Sequence, residues 1–306
     1  MRSIKTYWDI LRKKGLYMCL REAKKALCPL WWTHSRAAIE QIQSERASHY
    51  LWRQYKALIT KPLDVEQQAH QPTHIVWVCW LQGMDNAPDI VKRCIASIPH
   101  YMADYEVRVL TSENLFDYVT LPEHIIRKYK KGIISFTHFS DILRTALLVQ
   151  HGGIWLDATV LLTDKIPVEI VDKPLFFLQK SKLQSVPHSG SSWFLVAHKG
   201  NPVLQRVLEL LSAYWEHRTI LRDYYLFHLL LHLVLTRNEQ GIAAQKAIPY
   251  VPNSDAHTLQ FALFDNYSAD MWKHIIARSP IHKLTWKFNH NEPLEMKGTF
   301  YDHITS

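Results

Sequence analysis

The sequence predicts an α/β fold with a mostly parallel sheet, preceded by a helical amino-terminal extension. Three observations predict it. Short β-type runs alternate with amphipathic helices from "HIVWVCWLQG" to "LPEHIIRKYKKG". In "FSDILRTALLVQHGGIWLDATVLL", Phe139 to Leu162, a two-glycine turn joins a helix to a strand. That strand is apolar on both sides, as a central strand covered on both faces must be.

The bulk properties agree with one large domain, or one domain plus an appendage. The chain has 306 residues, 47% hydrophobic and 21% charged, an ordinary globular composition. A net charge of +8 and a pI near 9.2 point to an anionic partner: a phosphate-bearing substrate or an acidic membrane surface. No recognition helix, zinc finger or RNA-binding sheet accompanies the charge, so nucleic acid is not expected. Cys19, Cys28, Cys79 and Cys94 form no CxxC pair and read as reduced thiols of a cytoplasmic protein. The most apolar run, "YYLFHLLLHLVL", is too short to span a bilayer and contains His228 and His232. The start "MRSIKTYWDILRKKG" has no signal-peptide pattern.

In chain order, residues 1–70 read as a basic helical extension and 71–306 as the main domain. Within residues 1–36, Arg2, Lys5, Arg12, Lys13, Lys14, Arg21, Lys24 and Lys25 interleave with Ile4, Tyr7, Trp8, Leu11 and Leu16, and Trp31 and Trp32 follow. Such a segment either lies on an anionic bilayer, peripheral to the inner face of the membrane, or packs on its own domain. A second helix spans about Ser35 to Ile59. "HIVWVCWLQG" and "YEVRVLTSEN" are strands; "APDIVKRCIASIPHY" and "LPEHIIRKYKKG" are helices. After the glycine turn, "LFFLQK" and "SSWFLVAHKG" read as strands, and "NPVLQRVLELLSAYWEHR" and "DYYLFHLLLHLVLTRN" as helices. The final seventy residues read as short strands and loops.

Chemistry concentrates in the quoted stretch. Ser140 is a candidate N-cap and Gly152 a C-cap, which puts Asp141 and Arg144 on one helix face. That pair is either a grip for sugar hydroxyls or an ordinary surface ion pair. Asp157 is a carboxylate in an apolar strand, where a bare charge is costly, so it belongs near the strand's carboxyl end, where open α/β sheets bind ligands. Thr159, two residues on, faces the same side at roughly 6–7 Å.

"SDILRxxLLxxxGGIWLDA" resembles the helix–GG–strand of sugar-nucleotide-dependent glycosyltransferases, closest to the capsular polysaccharide synthesis proteins of glycosyltransferase family 32 with their DXD-containing sugar-binding region. "WVCWLQGMDNAPDIVKRCIASI", "YEVRVLTSENLFDYVTLP", "SSWFLVAHKGNPVL" and "RDYYLFH" fit the same group, over about residues 72–290. The resemblance implies a GT-A-type, Rossmann-like mixed sheet flanked by helices. It implies retaining transfer from a nucleoside-diphosphate sugar, a UDP-sugar, to a glycan or lipid-linked acceptor, with Mn²⁺ or Mg²⁺ on the diphosphate. Asp157 takes the first acid position of Asp-x-Asp, and Thr159 replaces the second. Asp157, Thr159 and His282 are then the implied metal ligands, with His282 alternatively structural. Lys283 and Lys287 would share neutralisation of the phosphates, beside Asp141, Arg144 and Gly153. Trp80 and Gln82, ending the first strand, are candidates for the nucleobase, whereas Trp77 reads as core. Asn114 either caps a helix or approaches the nucleotide. Asp223 either caps "DYYLFHLL" or serves as an acid facing the acceptor. A competing reading, prompted by the missing second acid, is a non-catalytic subunit that binds nucleotide sugar or glycan.

Overall fold

A computed structural model describes residues 36–66, 68–69, 71–180, 190–288 and 296–306. The basic segment 1–35 lies outside the described residues. Helix α1 (Arg36–Thr60) corresponds to the expected second helix. Its Ile39, Leu51 and Ile59 are buried. Two buried polar side chains hold its last carbonyls and those just after its end, which have no partner within the helix. Arg206 donates to Leu58, Lys61 and Pro62, and Asn238 donates to Ile59 and Lys61 at 2.8 and 2.9 Å. Leu51, Ile59 and Leu63 belong to the same hydrophobic cluster as the sheet.

The sheet is mixed, in the order β2-β1-β3-β6-β5. Strand β1 (Ile75–Cys79) pairs in parallel with β2 (Glu106–Leu110) and with β3 (Gly153–Leu156). β5 (Leu175–Gln179) and β6 (Gly190–Ala197) run antiparallel to each other, and β6 runs antiparallel to β3. The alternation of strands and helices is parallel only as far as β3; beyond it the sheet reverses. Val76, Trp77 and Val78 are fully buried. Trp77 is the core residue expected, its indole N–H donating to the Gly152 carbonyl at 3.0 Å.

Helix α2 (Asp89–Tyr101) follows β1. After β2 come α3 (Leu115–Tyr118), α4 (Glu123–Lys130) and the buried α5 (Phe136–His151). The N-cap of α5 is Ser135, not Ser140: its hydroxyl accepts from the His138 N–H, and its backbone is extended. Ser140 sits one turn inside. Gly152 ends α5 as expected, at φ +75°. Gly153 has φ +100°, and a Cβ there would collide with the Ile75 carbonyl oxygen, so only glycine brings β3 against β1.

The apolar run "IWLDATVLL" is two strands. After β3 the Asp157 carbonyl accepts from the Val160 N–H at 2.9 Å, closing a turn. β4 (Val160–Leu162) then leaves the main sheet to pair antiparallel with β7 (Ile281–Lys283).

The rest is more helical than expected. Short α6 (Val168–Val171) precedes β5; α7 (Pro202–His217) and α8 (Leu226–Arg237) follow β6. The last seventy residues contain α9 (Glu239–Ala247), α10 (Asn253–Phe261), α11 (Ala269–Arg278) and α12 (Phe300–Thr305). Asn238, Ser268 and Thr299 cap α9, α11 and α12 through side-chain oxygens, a start signal that short helices depend on. Among the described residues, no helix is long and apolar enough to cross a membrane.

Candidate active site

Asp157 follows the last residue of β3, at the carboxyl end of two adjacent parallel strands, the place where open α/β sheets bind ligands. Its backbone N–H is fixed to the Trp193 carbonyl of β6 at 2.9 Å. The side chain retains 27% exposure, so it reaches solvent and is not sealed in the core.

Three donors converge on that carboxylate. The Trp155 indole N–H donates to Oδ1 at 2.9 Å, Arg144 Nη2 to the same oxygen at 3.2 Å, and Lys283 Nζ to Oδ2 at 3.2 Å. Arg144 also donates to Asp141 at 2.6 Å and to Ser140 at 3.1 Å, and its guanidinium lies 5.1 Å from the Trp155 ring centroid. The expected Asp141–Arg144 pair is therefore a buried clamp, with side chains 8% and 6% exposed, not a surface ion pair. Helix spacing places both on the face turned to the strand end, and the planar fork of arginine lets one residue hold two carboxylates.

The environment separates the titration of these groups. Burial would raise Asp157, but Lys283 and then Arg144 outweigh it and hold the carboxyl below its ordinary value. Asp141 is pushed up to about 6 by burial, against the pull of Arg144 and with Asp157 adding to the rise. His138, 3.7 Å from Asp141, is pushed down to about 4 by burial and by Arg144. Burial raises the Cys79 thiol to about 12, so it stays protonated at the end of β1. Cys79 and Cys94 are both free thiols, as expected.

Thr159 joins the cluster. Its hydroxyl accepts from Lys283 Nζ at 2.5 Å, so the one ammonium bridges Asp157 and Thr159. His282 does not join them. Neighbouring strand residues point to opposite faces; with Lys283 turned to the cleft, His282 is fully buried, with Nε2 2.9 Å from the Thr163 hydroxyl. Burial pushes it down to about 4. Among the described residues no group of three or more His, Cys, Asp or Glu is placed to hold a metal. Asp157 and Thr159 already share a cation, and a divalent ion placed at that pair would sit against the ammonium. The donor set does not fit Mn²⁺ or Mg²⁺ as arranged.

The other expected residues divide. Trp80 is buried beside the site; its indole N–H has no protein partner among the described residues, and its ring meets Trp286 edge-on at 5.3 Å. Gln82 is exposed in the turn after β1. Lys287 is exposed, 5.3 Å from the Trp286 ring and without a contact to Asp157. Asn114 neither caps α3 nor is free to meet a ligand, because its amide closes its own loop through Thr111 N–H and the Val109 carbonyl. Asp223 accepts from the Tyr225 N–H at 2.8 Å and shapes the turn into α8. Its neighbour Tyr224 reaches the cluster instead: 61% exposed, it packs edge-on to His138 at 5.7 Å, and burial, then Asp141, raise its hydroxyl. Trp155 was the other omission. Its position two residues before Asp157, on the same strand face, is a signal the sequence carries.

Two known proteins and one family are similar to this chain. An O-glycosyltransferase braB from Annulohypoxylon truncatum is 28% identical over 177 residues, 52% of this chain but 41% of that protein, so the chain spans about two fifths of that relative. The solved PaToxG glycosyltransferase superposes with a TM-score of 0.40 at 15% identity, covering 69% of this chain and 85% of its own. Residues 28–304, which contain every element from α1 to β7 and all of the Asp141–Arg144–Asp157–Lys283 cluster, match a single family, and the chain belongs to it: the capsular polysaccharide synthesis proteins.

Proposed function

We propose that the protein is a retaining glycosyltransferase that moves a sugar from a nucleoside-diphosphate sugar, a UDP-sugar, to a glycan or lipid-linked acceptor during capsular or exopolysaccharide synthesis. The observation that carries this reading is the partly exposed carboxylate of Asp157, at the end of a parallel strand and held between Arg144 and Lys283. Family membership and the O-glycosyltransferase relative support sugar transfer.

Each residue has a role in that reading. Lys283 and Arg144 carry the positive field that stabilises the departing diphosphate, charge that develops in the transition state. Asp157 orients both cations. The buried Trp80 N–H, without a protein partner among the described residues, supports a contact to the nucleobase. Tyr224 offers an exposed ring to the acceptor sugar. Both carboxylates at the site are bound to Arg144. That supports a front-face route: the acceptor hydroxyl attacks the anomeric carbon on the side the diphosphate leaves, and its proton passes to a phosphate oxygen. The basic segment 1–36 would hold the enzyme peripherally on the cytoplasmic face of an anionic membrane.

The test is release of nucleoside diphosphate from a panel of nucleotide sugars by the purified protein, with and without oligosaccharide acceptors. Turnover with one donor, abolished in Asp157→Ala, is the expected result. Binding without hydrolysis or transfer would support the non-catalytic alternative.

A further inference from the structure

We infer that the nucleotide-sugar site works without a divalent cation, with the Lys283 ammonium standing where a metal ion would bridge Asp157 and Thr159. The inference rests on the donor-site reading above and goes further by naming what neutralises the diphosphate.

The geometry carries it. One ammonium contacts both oxygen ligands that a metal would need, Asp157 Oδ2 at 3.2 Å and Thr159 Oγ1 at 2.5 Å. A lysine has three N–H donors. Two are used here, and the side chain keeps 19% exposure, so the third is left for a phosphate oxygen. Replacing the second acid of the motif by a hydroxyl suits this arrangement. A second carboxylate would bind the ammonium more tightly and give the cluster a net negative charge, whereas with the neutral Thr159 the two acids and two bases of the cluster balance and Lys283 can face an added anion without a second acid beside it.

His282, the residue best able to complete a metal shell, is turned into the core. A dication at Asp157 would also lie against both Lys283 and Arg144, at repulsive cost in a partly buried site.

The experiment is calorimetric titration of the full chain with UDP, GDP, ADP, CDP and dTDP, in EDTA and in Mn²⁺, for wild type, Lys283→Met and Lys283→Arg. One of the diphosphates is expected to bind wild type with affinities in EDTA and Mn²⁺ that agree within about threefold. Lys283→Met, which removes a charge-assisted contact, loses about tenfold or more; Lys283→Arg keeps most of the affinity. Binding by wild type that requires Mn²⁺ overturns the inference and leaves the proposed function standing. Wild-type affinity in a folded Lys283→Met overturns it as well. Should Lys283→Met not fold, the EDTA arm and Lys283→Arg decide. No binding of any diphosphate in either condition overturns the donor-site reading, and the inference falls with it.

Discussion

Asp157→Asn separates the role of the carboxylate in folding from its role in the reaction. The substitution keeps the volume and one oxygen, so the Trp155 N–H retains its acceptor, but Arg144 and Lys283 lose their common anion. Removing one partner of a buried ion pair costs about 3–5 kcal/mol. Here the loss is smaller, because Asp157 is 27% exposed and each cation keeps a second partner, Asp141 for Arg144 and Thr159 for Lys283. About 1–2 kcal/mol is the expected destabilisation. With an unfolding entropy of about 2.1 cal/mol/K per residue, this lowers Tm by only about 2–3 °C in a chain of this length. Transfer should suffer far more. Two cations no longer held toward the leaving diphosphate should lower kcat/KM by about 100-fold or more, roughly 2.7 kcal/mol of transition-state stabilisation. Scanning calorimetry and a nucleotide-release assay on one preparation read both quantities. The sign with pH follows from the depressed carboxyl. Its stabilisation is present above the unfolded carboxylate value and is lost as pH falls through the folded one, so the variant and wild type converge in acid. A variant that melts within those few degrees and transfers sugar within threefold of wild type would refute the assignment.

The remaining expectations are shorter. Arg144→Lys keeps the charge but not the fork, so it cannot hold Asp141, Ser140 and Asp157 together; kcat/KM should fall by about 10–100-fold with an unchanged circular dichroism spectrum. Asp141, raised to about 6, should give an acidic limb in the pH profile of kcat/KM: below about pH 6 it protonates and releases Arg144, and Asp141→Asn should abolish the limb while lowering activity. Thermal stability should show little net slope there, since the raised Asp141 loses stability as pH rises from about 4 to 6 while the depressed His138 loses it as pH falls over a similar range. Gly153→Ala puts a Cβ into the Ile75 carbonyl at φ +100° and should yield insoluble protein, whereas a soluble, active variant would contradict the strand placement.

The fold was legible wherever local signals and the global arrangement agree. The glycines after α5, the apolar β1 and β3, and the Asn201-capped α7 each have a periodicity or a turn that only one structure satisfies. The final seventy residues were not legible, because α9, α11 and α12 are short and lean on side-chain caps, and the equally short α10 leans on packing, not on a long apolar stripe. In the site, spacing put Asp141 and Arg144 on one helix face and the apolar strand singled out Asp157, but whether the pair was a surface ion pair or part of a site was left open until the fold buried it against Asp157. Lys283 and His282 could not be told apart by spacing: both sit in β7, and only the pairing of Lys283 with Val160 and of His282 with Leu161 decides which one faces the cleft. Asp223 and Tyr224 show the same limit, since a backbone turn draws the acid inward and leaves the aromatic ring outside.

The cluster also explains why a carboxylate is tolerated in so apolar a segment. Asp157 is not an isolated charge but the middle of a chain from Asp141 through Arg144 to Asp157 and on to Lys283, ending at the neutral Thr159. Acid and base alternate along it, so every internal charge has an opposite neighbour and the desolvation penalty is offset at each step. The two ends differ. Asp141 is the buried end, on α5, where a proton can satisfy it; Lys283 is the partly open end, its side chain 19% exposed. The chain links three elements that come together only in the folded protein: α5, the end of β3, and β7, which β4 carries there by leaving the main sheet. On the proposed reading, an anionic donor arriving beside Lys283 meets a cation already fixed in place, and a cation fixed in advance need not reorganise when charge moves onto the leaving group.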